Sequence, residues 1–233
     1  DGIEFFGGAA TIKHMVVTDT QDDSFDFDAG WQGKGQFLFI KHGTVTLADG
    51  TVANMGNNGF ESDGVKGESS AEVAPSNPTL ANITVITTDG KSVRDDDPSQ
   101  AFKFDDEFNA NIYNALIFKK NAVDSSCIEF SSDGEKQADK IAFNSSVMAC
   151  SSNFADTDTF AGGPLAGQTK ASWFENSASN EILTDDVAVF ADNEFATNTA
   201  STDVTISAND LSMLNDSFFE TVDYIGAVSD QDT

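Results

Sequence analysis

The sequence has little positive charge. Twelve Lys and Arg stand against 39 Asp and Glu, a formal net charge of −27, and a surface of that sign repels phosphate backbones. Nucleic acid is therefore excluded as a partner. Arginine occurs once, as Arg94, and histidine twice, as His14 and His42. No run of about 18 apolar residues is present, so no transmembrane segment is expected. Cysteine is limited to Cys127 and Cys150, with no CxxC pair, which argues against a zinc or thiol-redox site. A disulfide between the two fits better, and closing its loop stabilises the fold by about 3 kcal/mol through unfolded-chain entropy. Such a bond belongs to an oxidising compartment, extracellular or on the outer cell surface.

What is present argues for a folded, all-β chain. Twenty Phe and 39% apolar residues in recurrent clusters are far too many for a disordered acidic polymer. A two-part unit recurs: a short strand alternating apolar and charged residues, a polar or Gly-rich corner, then a longer apolar strand. The short strands read Gly2-Ile3-Glu4-Phe5, Ser24-Phe25-Asp26-Phe27, Gly59-Phe60-Glu61-Ser62, Ala101-Phe102-Lys103-Phe104 and Cys127-Ile128-Glu129-Phe130. Their longer partners are Thr11 to Val17, Gln36 to Ile40, Leu80 to Thr87, Asn111 to Phe118 and Lys140 to Ala149. Stacked coils of this kind make a right-handed parallel β-helix, a solenoid whose strands lie about 4.8 Å apart.

In the longer strands an amide or imidazole stands three residues before an apolar one: His14, Gln36, Asn82, Asn114 and Asn144. A shared register would stack them, and Asn82, Asn114 and Asn144 are read as a structural hydrogen-bonding ladder. The sequons at Asn82 and Asn144 are then incidental. Insertions rich in Gly, Ser, Asn, Asp and Pro fall at Gly43 to Asn58, Asp63 to Pro78 and Thr88 to Gln100, where turn chemistry predicts loops forming a variable surface. Residues 1–150 are thus expected to be β-helix coils with inserted loops. Residues 151–233, with a Gly-Pro turn at Gly162 to Pro164 and a short helix around Ser172 to Ser177, are expected to be a C-terminal capping region.

Several segments carry a resemblance: Asp1-Gly-Ile-Glu-Phe-Phe-Gly-Gly8, Asp22-Asp-Ser-Phe-Asp26, Gly30-Trp-Gln-Gly-Lys-Gly-Gln-Phe37, Gly59-Phe-Glu-Ser-Asp63, Asn77-Pro-Thr-Leu-Ala-Asn-Ile-Thr84, the cysteine pair and Asp223-Tyr-Ile-Gly-Ala227. Together they resemble a family of bacterial surface lipoproteins, of marine Gram-negative type, with pectate-lyase-like right-handed β-helices and no assigned activity. Members of that family carry further coils before the Asp-Gly-Ile-Glu segment and a tryptophan-bearing tail after Tyr-Ile-Gly-Ala. The resemblance implies that this chain is a piece of a longer protein or that it stacks end to end on neighbours, since a solenoid's open ends expose unpaired edges.

Aligning the short strands places Glu4, Asp26, Glu61, Lys103 and Glu129 at one outward position. Like charges 4 to 5 Å apart repel by around 1 kcal/mol in water and by several times more where solvent is partly excluded. Three compensations are open: the charge of Lys103, full solvation of the carboxylates, or Ca²⁺ held by Asp22, Asp23, Asp26, Asp28, Glu61 and Asp63 between coils. The Asp22 to Asp28 run lacks EF-hand spacing, and Asp95-Asp96-Asp97 and Asp105-Asp106-Glu107 read as solvated loop charges. Trp31 and Trp173 read as buried in core or cap in preference to sugar platforms, and His14 as structural.

The resembled fold also carries polysaccharide lyases and glycoside hydrolases, for which Asp22 and Asp23 would be an acid and base. A lyase needs a basic residue, yet Arg94 sits beside three aspartates; of the hydrolase motifs only Lys41-His42-Gly43 is faintly similar. The expected function is a non-enzymatic extracellular or cell-surface protein for adhesion, surface-layer construction or glycan binding. Its partners would be a surface glycan or neighbouring subunits. A carbohydrate-active enzyme and a fibre subunit are the alternatives.

Overall fold

The computed structural model describes residues 1–65, 73–88, 92, 99–119, 126–150, 152–155, 157–176, 179–183 and 204–229. The chain passes alternately through two parallel sheets. The first pass is β1 (Ile3–Phe6) and β2 (Thr11–Thr18), and the second is β3 (Phe25–Asp28) and β4 (Lys34–Lys41). A small antiparallel hairpin, β5 (Thr44–Thr46) with β6 (Val52–Asn54), occupies the Gly43 to Asn58 insertion. The third pass is β7 (Asn58–Asp63) and β8 (Thr79–Thr87), and the fourth β9 (Gln100–Asp105) and β10 (Ala110–Lys119). The fifth comprises β11 (Ile128–Phe130), β12 (Ile141–Asn144) and β13 (Val147–Cys150), and β14 (Glu181–Leu183) adds one further strand.

The short strands form a five-stranded sheet, β1-β3-β7-β9-β11. The long ones form a seven-stranded sheet, β14-β13-β10-β8-β4-β2, with β12 also paired to β10. Pairing within both sheets is parallel. In the short sheet the expected alignment holds: Glu4 pairs with Asp26, Asp26 with Glu61, Glu61 with Lys103 and Lys103 with Glu129. Because side chains alternate with period 2, this register turns the flanking phenylalanines inward together. Phe25, Phe60 and Phe102 stack face to face, with centroids 5.3 and 4.6 Å apart. Against them pack Leu38, Ile40, Ile83, Val85, Ile112 and Ile117 of the long strands.

The long strands are bent rather than straight. His14, Phe37, Asn82, Asn114 and Ser145 all have φ between 50° and 58°, and the strand pairings set the first four of these opposite one another. A left-handed residue interrupts the alternation, so Ile12 and Met15, Leu80 and Ile83, and Ile112 and Ala115 all reach the same core. Asn tolerates this conformation better than most residues, which accounts for Asn82 and Asn114. The ladder differs from the sequence reading at two rungs. Gln36 pairs with Lys13 and Ala81, and Asn144 with Tyr113, each one residue before the bend. At the bend itself Phe37 stacks on His14, with centroids 4.8 Å apart.

The fifth pass is closed by the disulfide between Cys127 and Cys150, 23 residues apart in sequence and both buried. Beyond it, Phe160, Trp173 and Phe174 pack on Phe130 and Phe143. Trp173 and Phe174 belong to a short helix, α1 (Lys170–Glu175), whose N-cap Thr169 accepts from Ser172 N–H, at the place where a helix is expected. Residues 204–229 lie across the outer face of the long-strand sheet, where Ile225 meets Leu116 and Val147, and Leu211 and Phe219 meet Ala81 and Tyr113.

Phe60 is fully buried between two stacked rings, whereas Phe6 is 69% exposed. In urea unfolding, Phe60→Ala is expected to lower stability by about 3–5 kcal/mol and Phe6→Ala by less than about 0.5 kcal/mol. Equal losses would contradict the stacked core.

Candidate functional site

The outer face of the five-stranded sheet carries the chemistry. Strand alternation that sends Phe25, Phe27 and Phe60 inward sends Asp26, Asp28, Glu61 and Asp63 outward. One column runs Glu4, Asp26, Glu61, Lys103, Glu129, and beside it Asp28 pairs with Phe6, and Asp63 with Asp105. Lys103 is the cation within the first column. Its Nζ donates to Glu61 Oε1 at 2.8 Å. Burial alone would lower its pKa, but the hydrogen bond to Glu61 and the charges of Glu61, Asp105 and Glu129 hold it well above the ordinary lysine value. Glu129 accepts a short hydrogen bond from Gln100 Nε2, and Asp105 one from Ser131 Oγ.

The predicted metal ligands divide into two places. Asp26, Asp28 and Asp63 are all buried, and one carboxylate oxygen from each lies within 4.8 Å of the others. Asp22 and Asp23 converge in the same way with Asp1, and Asp26 is shared with a further set containing Asp1 and Glu4. Glu61 joins none of these sets; its carboxylate accepts from Lys103 Nζ. Two oxygens on opposite sides of a Ca²⁺ ion, each about 2.4 Å from it, are about 4.8 Å apart, so each set fits within one coordination shell. All-oxygen donors also suit calcium in preference to zinc. Asp1 and Glu4 escaped sequence reasoning as ligands, although Glu4 already stood in the outward column.

Asp23 responds to this crowding. Burial, then repulsion from Glu61, pushes its pKa up to about 6, against the lowering effect of hydrogen bonds from Asn58. The main-chain N–H of Asn58 donates to Asp23 Oδ1 at 2.8 Å.

The opposite behaviour is found at His42, singled out for the Lys41-His42-Gly43 triplet. It is buried, with Nε2 2.9 Å from Ser24 Oγ and Nδ1 3.1 Å from Ser99 Oγ. Burial, then the nearby Lys119 charge, lowers its pKa to about 3. Ser24 and Ser99 come from different passes, so no local motif announces this network. His14 is instead exposed and stacked on Phe37.

Trp31 and Trp173 are buried, each donating its indole N–H to a main-chain carbonyl, of Ala10 and Ala138. Asn82 Nδ2 donates to Tyr224 O, Asn114 Nδ2 to Asn209 O, and Asn144 Nδ2 to Ile112 O. Arg94 and Asp95 to Asp97 lie outside the described residues.

A family model described as a pectate-lyase like beta helix domain matches residues 1–205. No curated protein and no solved structure matches the chain.

These two shifts act oppositely on acid stability. A histidine whose folded pKa lies below its unfolded value contributes stability that is complete above the unfolded value, 6.5, and lost as pH falls toward 3. Asp23, raised from 3.8 to about 6, costs stability at neutral pH and relieves that cost as pH falls through 6. In chelator, Asp23→Asn is therefore expected to stabilise at pH 7.5, by at most about 3 kcal/mol. It should also steepen the loss between pH 6 and 4, as followed by urea titrations across that range. An unchanged profile would contradict the burial of Asp23.

Proposed function

Because the chain belongs to the pectate-lyase-like beta helix domain family, we propose that it is a non-enzymatic extracellular or cell-surface protein that binds acidic glycans through Ca²⁺. Membership fits a surface or polysaccharide-related protein, and the alternating parallel passes favour a right-handed closed winding, the usual hand of parallel crossovers. The observation that carries the reading is the carboxylate columns, in which Asp26, Asp28 and Asp63 converge within 4.8 Å. Three carboxylates so close repel unless a cation or a proton intervenes. A divalent ion there would tie the second and third passes together, while the partly exposed Glu61, Lys103, Asp105 and Glu129 face outward. A Ca²⁺ ion held by Asp1 with Asp22 and Asp23, or with Glu4 and Asp26, would be open to a uronate despite the protein's own charge, because these sets include exposed or half-buried carboxylates. The disulfide supports an oxidising, extracellular location.

Calcium at 100 times its dissociation constant stabilises the fold by roughly 2.7 kcal/mol, so the melting temperature is expected to rise with Ca²⁺ and fall on adding EDTA. Asp28→Asn should abolish most of that increment. A melting temperature indifferent to chelation would remove calcium from the account.

A second reading is favoured by one observation: a carboxyl held near pH 6 beside Glu61 is the kind of perturbed pair that acid–base catalysis uses. Incubation with acidic polysaccharides separates the two. Retained binding without new unsaturated or reducing ends is expected; steady release of such ends would make the protein a lyase or hydrolase.

A further inference from the structure

Three sequons, an asparagine followed two residues later by serine or threonine with no proline between, occur in the chain: at Asn82, Asn144 and Asn215. The motif needs both a free side-chain amide and a free hydroxyl, on chain that a glycosyl-transferring enzyme can reach. The structure separates the three. Asn82 is buried, its Oδ1 accepting from Gln36 Nε2 at 3.0 Å and its Nδ2 donating to Tyr224 O. The hydroxyl of Thr84, also buried, accepts from Ala227 N–H at 2.9 Å. Asn144 lies within β12 and its Nδ2 donates to Ile112 O. Ser146 is fully buried, its hydroxyl accepting from Ala115 N–H at 3.1 Å and donating to Asn144 O.

Asn215 and Ser217 belong to residues 204–229, which the long-strand sheet holds largely through side chains that hydrogen-bond their main chain. Gln36 exchanges two hydrogen bonds with the Glu220 main chain, and Asn114 two with that of Asn209. Lys13 Nζ donates to Phe218 O and to Glu220 Oε1. This amide grip leaves the sequon outside it. Asn215 is the C-cap of a short 3-10 helix, Leu211–Leu214, with φ at 50° and its N–H donated to Ser212 O at 3.1 Å. Asn accepts that left-handed conformation at low cost. Asn215 and Ser217 are both exposed, and no hydrogen bond ties either side chain to another described residue. Asp216, between them, is anchored to Lys34.

We propose that Asn215 is an N-glycosylation site, the acceptor of an oligosaccharide from a lipid-linked glycosyl diphosphate. In that transfer Asn215 Nδ2 bonds to the anomeric carbon of the donor as the bond from that carbon to the diphosphate oxygen breaks. The diphosphate leaves with the bonding electrons, and a base of the transferring enzyme takes one amide proton. Modification of this kind belongs to secreted chains, so the inference rests on the extracellular reading. A glycan on Asn82 would have to occupy the packed space around Gln36 and Tyr224, which a folded molecule does not offer. At Asn215 it stands on the outer face of the long-strand sheet, away from the carboxylate columns of the five-stranded sheet. There it also shields the neighbouring Met213, an apolar side chain 65% exposed.

Acceptor competence is measured on the folded, disulfide-bonded full-length chain, incubated with an oligosaccharyltransferase and a lipid-linked oligosaccharyl diphosphate. The chain is expected to gain the mass of one oligosaccharide, mapped to Asn215 by peptide mass spectrometry. Asn215→Gln and Ser217→Ala should each lose that gain. Ser217→Ala leaves the Asn215 amide and its capping turn in place, so its loss reports recognition of the hydroxyl rather than unfolding. A folded chain that stays unmodified, or a gain that survives both variants, overturns the proposal.

The protein as its source makes it separates this inference from the extracellular reading beneath it. Denatured and treated with peptide-N-glycosidase in heavy-oxygen water, protein recovered outside the cell is expected to yield labelled aspartate at position 215. Unlabelled Asn215 in extracellular protein overturns the modification and leaves the extracellular reading standing. Unlabelled protein confined to the cell interior overturns both.

Discussion

Parallel register is the constraint on which everything else in this protein depends. Each pass contributes one residue to each column, and the alternation of Phe with an acidic residue leaves a single alignment that buries the rings. A one-residue slip would turn Phe60 outward and Glu61 into the core, exchanging a stacked aromatic for a buried charge. Once that alignment is set, the carboxylates have no freedom to spread apart, since strand spacing fixes their separation at about 4.8 Å. The acidic columns are thus a consequence of the aromatic ones.

The charge that results is handled in different ways along the sheet. At the fourth pass Lys103 takes Glu61 directly. At Asp23, burial beside Glu61 favours the proton. At Asp26, Asp28 and Asp63, three buried carboxylates lie close enough for one divalent ion. His42 solves the converse problem by remaining neutral between two serine hydroxyls. Lys13 and Lys34 likewise sit against Glu220 and Asp216, whereas the buried Lys119 and Lys170 donate to the main-chain carbonyls of Ser99 and Ala155.

Much of this was legible in the sequence because alternation is a local signal. The pattern Phe25-Asp26-Phe27 or Phe102-Lys103-Phe104 announces both strand and facing, and five such strings align without a structure. The long strands were readable as strands but not in their fine register, because the left-handed bend is a backbone property that Phe37 and Ser145 adopt as well as Asn82 and Asn114. Gln36 was consequently set one position early. The His42 network joins residues 18 and 57 positions apart, and the grip on the C-terminal segment joins Lys13 to a residue 207 positions away; neither has a local signature. Asp28 and Asp63 were recognisable as candidate calcium ligands, but their convergence on Asp26 required the pairing.

The register itself can be measured directly. In the folded protein, nuclear Overhauser contacts between neighbouring main chains are expected to link Glu61 with Asp26 on one side and with Lys103 on the other. Phe60 should correspondingly be linked with Phe25 and Phe102. Contacts that instead link Glu61 with Phe102 or Phe104 would place the chain one residue out of this alignment, and the aromatic core, the carboxylate columns and the amide grip on the C-terminal segment would all fall with it.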